Sequence, residues 1–270
     1  MTEARRRHEL RARHGRSWLR RRGSVYLTIL FASLSLASVA SAAPTATFKT
    51  RPLPIPGFPG TGDILAAGVE VEVQATISGT EYGGFPSPLT ELDIYAPAGL
   101  KVTPTGFPVC APSLLQTGGC PKKSSAGPQG TGLGVVSFGG ERVPEAVTIQ
   151  PFFASGGGLM FVVNGNTPAS FEVLEPGHWT AAAAPYGSEM VVMVPLIETV
   201  PGANDASVTS FKVTVGAAYR KGRRTVSYLT QPKHCPKGGF PAKMELKFLS
   251  GESTTVADTV PCPPHPRGAS

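Results

Sequence analysis

The sequence has no run of helix-forming residues after position 42 and few aromatic side chains. Of its 270 residues, 32 are glycine and 27 are proline, whereas aromatic residues make up only 8%. Because glycine and proline interrupt helices and occupy turns, this composition excludes a mainly helical fold. It predicts a turn-rich, all-β protein.

Motifs for catalysis, phosphate binding and calcium binding are also absent from the sequence. No Gly-x-Ser-x-Gly segment occurs, which excludes the usual nucleophile turn of an α/β hydrolase. The glycine-rich segments do not precede the helix of a phosphate loop, and no closely spaced Asp and Asn ladder indicates a calcium loop. Only three histidines follow residue 42, namely His178, His234 and His265. We therefore predict no cofactor, no metal and no enzymatic activity.

Positive charge is confined to the start of the chain. The formal net charge is +7, but nine arginines and only two acidic residues lie in residues 1–42. Beyond this segment, 16 basic residues balance 16 acidic residues. Phosphate recognition requires a basic surface, so we predict that nucleic acid is not a partner.

Residues 1–42 have the order of an export signal. An arginine-rich start precedes an apolar run from Val25 to Val39, and Ala40-Ser41-Ala42 supplies the small residues of a cleavage site. The alternative is a membrane anchor, but the run falls short of the roughly 20 apolar residues that a spanning helix needs. We expect cleavage after Ala42, no membrane span afterwards, and a protein that is extracellular or associated with the cell wall.

The rest of the chain divides into two predicted parts. Residues 43–66 are rich in proline and lack hydrophobic periodicity, so we expect an extended lead-in with weak order. Residues 67–270 are expected to form a single domain. Its clearest strand starts at Val69, where apolar residues alternate with polar ones as far as Ile77.

Similar patterns recur between turn signals along the domain. They predict further strands at 89–95, 134–139, 145–154, 159–164, 169–175, 178–184, 189–195, 207–215, 224–230, 242–249 and 253–260. A short helix is expected only within residues 109–116. About a dozen short strands at this spacing predict an antiparallel β-sandwich, immunoglobulin-like or larger, with all strands in one domain.

Four cysteines in an exported chain predict two disulfides, for which three pairings are possible. We favour Cys110 with Cys120 and Cys235 with Cys262, because each pair closes a short local loop. The alternative, a zinc site made from all four, lacks the Cys-x-x-Cys spacing that preorganises the metal.

The cysteines belong to a longer pattern. Its parts are Pro97-Ala98-Gly99-Leu100, Phe107-Pro108-x-Cys110, Gly119-Cys120-Pro121, Ser125, Gly130-x-Gly132, Tyr228-Leu-Thr-x-Pro232, Cys235-Pro236 and Val260-Pro261-Cys262. This pattern resembles a group of uncharacterised exported actinobacterial proteins. The resemblance implies an exported, disulfide-stapled β domain, and it implies no activity, cofactor or catalytic residue.

Aromatic side chains are the first candidates for ligand contact. Trp179 follows His178 at a predicted strand start, and an imidazole beside an indole is suited to stacking on a sugar ring. The alternative is that Trp179 belongs to the core. Tyr186 and Tyr228 are further candidate stacking platforms.

Carboxylates that alternate with apolar residues are candidates for a glycosidase pair, which requires two acidic groups across a cleft. The candidates are Glu70, Glu72, Glu91, Asp93, Glu172 and Glu175. Since the pairs Glu70/Glu72 and Glu91/Asp93 alternate along predicted strands, we interpret them as the solvated face of a sheet.

One basic cluster remains after the leader: Arg220, Lys221, Arg223 and Arg224 surround Gly222. We place it at a hairpin tip, where it is either a solvated turn or a contact for an anionic wall polymer. The sequence therefore predicts an exported, non-enzymatic structural or interaction module whose partner is a cell-wall glycan or another envelope protein. The alternatives are a carbohydrate-binding module and, less favoured, a secreted hydrolase.

Overall fold

The computed structural model describes residues 43–62, 64–198 and 201–263, so the predicted signal segment and His265 lie outside the described residues. The described chain forms fifteen strands, one short α-helix and one 3₁₀ turn at Ser155–Gly157. The elements are β1 (Thr45–Leu53), β2 (Gly68–Ser78), β3 (Leu89–Pro97), β4 (Lys101–Val102), α1 (Pro112–Leu115), β5 (Gly130–Phe138), β6 (Glu141–Phe153), β7 (Leu159–Gly165), β8 (Phe171–Ala181), β9 (Tyr186–Met193), β10 (Ser207–Val215), β11 (Ala218–Lys221), β12 (Arg224–Ser227), β13 (Leu229–Thr230), β14 (Phe240–Phe248) and β15 (Ser253–Val260).

Thirteen of these strands form one antiparallel sheet. Its order is β15-β14-β3-β9-β8-β7-β6-β5-β10-β2-β13-β4, and β1 also pairs with β2. Phe48 of β1 and Met244 of β14 come from distant parts of this order, yet both belong to one buried cluster. The sheet therefore folds over on itself and encloses its core. The predicted antiparallel, sandwich-like all-β fold with two disulfides is confirmed.

Alternation of side chains decides which face of each strand is buried. Along β2, Val69, Val73 and Ile77 point inward and are buried, while the exposed side chains of Gln74 and Thr76 point outward. The strand β7 is different, because five consecutive residues from Leu159 to Val163 are buried. Such a run is typical of a strand that is covered on both faces.

The outer cover of β7 is the loop that the first disulfide closes. Cys110 is 1% exposed and clusters with Leu115 of α1 and with Met160 and Val162, the outward residues of β7. Cys110 and Cys120 are bonded, with their Cα atoms 5.2 Å apart. Cys235 and Cys262 form the second disulfide, with a Cα separation of 5.8 Å. Both predicted pairings are therefore confirmed, which excludes the four-cysteine zinc site in the oxidised protein.

Replacing both Cys110 and Cys120 with serine should lower the free energy of unfolding by about 3 kcal/mol, since the disulfide closes a loop of 10 residues in the unfolded chain. Urea denaturation of the double variant would measure the loss. The corresponding serine variant of Cys235 and Cys262, whose loop spans 27 residues, should lose slightly more. A larger loss at the shorter loop would contradict an origin in chain entropy.

Three expectations about the strands were wrong. The strand predicted at 224–230 is two strands, β12 in a separate sheet with β11 and β13 in the main sheet. Residues Thr45–Leu53, assigned to a weakly ordered lead-in, form β1 and pair with β2 over nine residues. The pattern was missed because Phe48 is the only large apolar residue that β1 buries. The strand β8 was also divided in two at Pro176-Gly177. It continues there because Gly177 pairs with Leu159 of β7 and with Val192 of β9, and glycine suits the position because a Cβ atom would lie only 3.0 Å from the Met190 sulfur.

Candidate functional site

The outer face of four adjacent strands, β8, β9, β3 and β14, carries three rows of side chains. The first row, which we call the tyrosine row, contains Thr180, Glu189, Tyr95 and Lys243, one from each strand in that order. The second row contains His178, Val191, Asp93 and Glu245. The third contains Met193, Glu91 and Lys247. Cross-strand pairing thus brings together residues from four distant parts of the chain.

Tyr186, the first residue of β9, packs against Tyr95 of the tyrosine row. Its ring centroid lies 5.5 Å from that of Tyr95, and the two ring planes are tilted by 54°. The Lys243 ammonium lies 3.5 Å from the Tyr95 centroid and 5.8 Å from that of Tyr186, which is within the range of a cation–π contact. Both tyrosines are half-buried, so each fixes its ring against the sheet and keeps part of it open to solvent.

Glu189 provides the polar centre of the tyrosine row. The Thr180 hydroxyl donates to Glu189 Oε2 over 3.2 Å. A hydrogen bond from the Tyr95 hydroxyl to Glu189, together with burial, raises the pKa of Tyr95 well above its usual range. Tyr95 therefore stays protonated and holds Glu189 in place. A hydroxyl, a carboxylate, an ammonium group and two rings meet here, and these are the groups that recognise polyols.

Lys247 neutralises two carboxylates, Glu91 in its own row and Asp93 in the second row. Its ammonium contacts Glu91 Oε1 and lies 2.9 Å from Asp93 Oδ2. These hydrogen bonds, first that to Glu91 and then that to Asp93, raise the pKa of Lys247 above its usual range. Burial raises the pKa of Asp93, and Lys247 opposes this shift. One cation thus holds both carboxylates, which disfavours their use as the separate acid and base of a glycosidase.

Trp179 and Tyr228 lie on the opposite, inner side of the sheet. Trp179 Nε1 donates to the Tyr228 hydroxyl over 2.9 Å, and that hydroxyl donates to the Gly157 carbonyl over 3.0 Å. Tyr228 is fully buried, and burial raises its pKa to about 12. The expectation that Tyr228 is a surface stacking platform is therefore wrong. Its ring contacts Phe107 and Phe153 instead.

His178 does not form the predicted pair with Trp179. Successive side chains on a strand point to opposite faces, so the exposed His178 belongs to the outer face while Trp179 packs against the core. The alternative interpretation of Trp179 as a core aromatic is the one that the packing supports. His178 lies beside Val191, one row away from Glu189.

Tyr228→Phe should lower the free energy of unfolding by about 1 to 3 kcal/mol, because the Trp179 N–H and the Gly157 carbonyl would both lose their partner in the interior. Urea denaturation would measure the change. The matched control is Tyr219→Phe, because the Tyr219 hydroxyl donates to Thr105 at an exposed position. Equal losses in both variants would contradict the assigned role of the buried pair.

The basic cluster lies at a hairpin tip, as predicted. β11 pairs with β12, and the last pair of this ladder is Lys221 with Arg224. Gly222 has a φ of 62°, a conformation that favours glycine in a two-residue turn. All four cations are exposed, and the Arg220 guanidinium lies 5.7 Å from the Phe58 ring centre. The hairpin tip therefore presents four positive charges to solvent.

Two of the four carboxylates assigned to a solvated face are buried instead. Glu70 is 7% exposed and Asp93 is 1% exposed. Glu175 points inward, in line with Val173 and Trp179. Burial raises the pKa of both Glu70 and Glu175 to about 7. The assignment fails because a strand pattern cannot show which polar positions a neighbouring segment covers.

The remaining candidate carboxylates and His234 are more accessible. The Glu72 carboxylate forms ion pairs with the Arg51 guanidinium, at a nitrogen–oxygen distance of 3.1 Å, and with the Lys212 ammonium, at 3.0 Å. Glu172 and His234 are exposed. Within residues 43–62, 64–198 and 201–263, no three His, Cys, Asp or Glu side chains cluster as metal ligands. No helix in the same described segments is long and apolar enough to cross a membrane.

The sequence identified Tyr186 and His178 as candidate contacts, and the structure places both on the outer face. It gave no indication of Tyr95, Glu189 and Lys243. The local alternation of β3, β9 and β14 marks these three residues only as outward-facing. A comparison of the chain with protein-family models, with curated proteins and with solved structures found no match. The outer face is therefore interpreted from its own chemistry.

Proposed function

We propose that the protein is an exported, non-enzymatic binding module and that the tyrosine row with Tyr186 binds a glycan of the cell envelope. The observation that carries this proposal is the pairing of Tyr95 and Tyr186 at 5.5 Å beside Lys243 and Glu189. An aromatic ring offers a face to the C–H groups of a sugar, while the carboxylate and the ammonium bind its hydroxyls.

The position of these residues also supports a binding role. They project from four paired strands rather than from a loop, so the sheet fixes their spacing before a ligand arrives. Preorganised side chains lose little conformational entropy on binding. The two disulfides are compatible with an oxidising, extracellular location, as the leader predicts.

Tyr186→Ala should weaken binding to isolated cell-wall sacculi by about tenfold, because loss of one stacking ring is expected to cost about 1 to 1.5 kcal/mol. Co-sedimentation of the purified protein with sacculi at 50 mM and 500 mM salt would measure the affinity. The control is Tyr219→Ala, which removes a tyrosine beside Phe107, away from the outer face. Salt-resistant binding that Tyr186→Ala does not weaken would contradict the proposed glycan site.

A second candidate function rests on the hairpin tip. We propose that Arg220, Lys221, Arg223 and Arg224 dock onto an anionic wall polymer. The supporting observation is that all four cations are exposed on one short hairpin. Contacts of this kind are screened at high salt, because the Debye length falls below about 5 Å at 0.5 M.

Replacing the four cations with serine should remove salt-sensitive binding to sacculi and leave salt-resistant binding unchanged. The same co-sedimentation measurement separates the two functions. Binding by the tyrosine row should depend little on salt, because the charges of Glu189 and Lys243 cancel, whereas binding by the hairpin tip should be lost at high salt. Retention of salt-sensitive binding in the serine variant would exclude the hairpin tip as the docking site.

A further inference from the structure

The space enclosed by the sheet contains two adjacent cavities. The first has a volume of about 120 Å³, and the second has a volume of about 110 Å³. Ile94, Phe161 and Val213 line both, so the cavities lie against each other in the core. Apolar cavities near 150 Å³ remain dry and bind small apolar molecules. The two together are large enough for an elongated ligand.

The second cavity contains a carboxylate without a partner. Glu175 lines it among Ile149, Val163 and Val192, and no described residue forms a hydrogen bond or an ion pair with its carboxylate. Desolvation is the physical cause that raises its pKa to about 7. Unpaired polar groups in an interior are costly, so they mark places where a ligand group completes the hydrogen bonding.

The other acidic group of this cavity is already satisfied. Glu145 accepts hydrogen bonds from the backbone N–H groups of Asn166, Thr167 and Ala169 at 2.9 to 3.0 Å. Among the described residues, no Lys, Arg or His lines the second cavity. The second cavity is therefore mainly apolar, and Glu175 is the carboxyl group left to meet a ligand.

An entrance lies where β1, the branch strand that pairs with β2, approaches β15 at one end of the sheet. β1 and β15 meet there through side chains, with the Thr50 N–H and hydroxyl donating to Asp258 Oδ2 at 2.7 and 3.2 Å. A cleft of about 700 Å³ lies along this junction. The cleft leads to the apolar interior, because it shares six lining residues with the first cavity: Thr50, Arg51, Pro52, Gln231, Phe240 and Val260.

We propose that the interior binds a small apolar molecule that carries a single hydrogen-bond donor, such as a hydroxyl or amine group, and that this donor meets Glu175. Both the protonated and the ionised carboxyl accept a hydrogen bond from such a donor. An anionic head group is disfavoured at Glu175, because an ionised Glu175 would repel it and no described Lys, Arg or His lines the second cavity. This site is separate from the outer face, so the fate of the glycan proposal does not bear on it.

The test compares three probes of equal chain length: 1-octanol, octylamine and octanoate. The protein is purified after expression of the full chain, and binding is measured at pH 8 by saturation-transfer NMR and by the shift in melting temperature. We expect 1-octanol and octylamine to bind at least tenfold more tightly than octanoate. Absence of binding by both donor probes would overturn the proposal.

Two variants locate the probe inside the molecule. Glu175→Gln keeps the shape and removes the charge, so the preference for 1-octanol over octanoate should fall at least fivefold. Glu172→Gln is the matched control on the outer face of the same strand, and it should keep the preference. An unchanged preference in Glu175→Gln would overturn the assignment of this residue.

A filling variant provides an independent check. Val213→Phe places a larger side chain where the two cavities meet, and binding of 1-octanol should fall at least tenfold in protein that retains its β-sheet circular dichroism. Full binding in the folded variant would place the probe outside the cavities and overturn the proposal. If this variant does not fold, the Glu175→Gln comparison still tests whether the probe binds next to Glu175.

Discussion

Replacing Glu145 with alanine should lower the free energy of unfolding by about 3 to 5 kcal/mol. The Glu145 side chain is fully buried and accepts three backbone hydrogen bonds from the segment 166–169. Hydrogen bonds to a charged group contribute about 1.5 to 3 kcal/mol each. The loss is smaller than their sum, because Asn166 and Thr167 are exposed and their amides can turn to water.

Glu145→Gln should show an intermediate loss of about 2 to 3 kcal/mol, since its amide offers one acceptor oxygen instead of two. Glu141→Ala, an exposed residue on the same strand, is the control and should change stability by less than about 0.5 kcal/mol. Urea denaturation at pH 7 would compare the three variants. Equal stability of Glu145→Ala and the control would show that the loop 166–169 does not depend on this carboxylate.

Glu145 also illustrates what a strand pattern conceals. Its position in β6 is on the inner face, in line with Val147 and Ile149, yet the sequence offers no sign that a loop supplies three donors there. Strong alternation or long apolar runs predicted β2, β7, β10 and β14. These strands can be predicted from sequence because burial of one face produces an alternating pattern and burial of both faces produces a continuous apolar run.

The candidate site was less predictable than the fold. An aromatic residue can be selected from sequence, as Tyr186 was, but its partner Tyr95 is defined by the register of β3 against β9. Register depends on bulges, and one occurs between Ala96 and Pro97 beside Tyr186. The sequence does not show where a bulge shifts the pairing, so the tyrosine row required the structure.

Inner and outer positions also determine how the same residue type behaves. Glu172 and Glu175 lie on one strand, but Glu172 is exposed and Glu175 faces the cavity. The pKa of Glu175 is raised to about 7, as is that of Glu70 beneath the outer surface. Buried carboxyl groups without a cation favour the protonated state, since desolvation penalises the charge.

The protein should therefore lose stability as the pH rises from about 4.5 to about 7. Below pH 4.5 both groups are protonated in the folded and unfolded states, so neither affects folding. Between the unfolded pKa of 4.5 and the folded pKa of about 7, the folded state binds more protons, and the free energy of unfolding decreases with pH. The loss is at most about 3 kcal/mol for each group, smaller for Glu70 because solvent screens it more, and it is constant above the folded pKa.

Urea denaturation between pH 4 and pH 8.5 would measure this profile. Glu70→Gln and Glu175→Gln should each flatten it and stabilise the protein at pH 8, because an amide has no charge to desolvate. Glu172→Gln should leave the profile unchanged. A stability that increases from pH 4.5 to pH 7 would contradict the burial of both carboxyl groups. A profile that only Glu70→Gln flattens would instead mean that Glu175 is hydrated in the folded protein, which would contradict its desolvation in the second cavity.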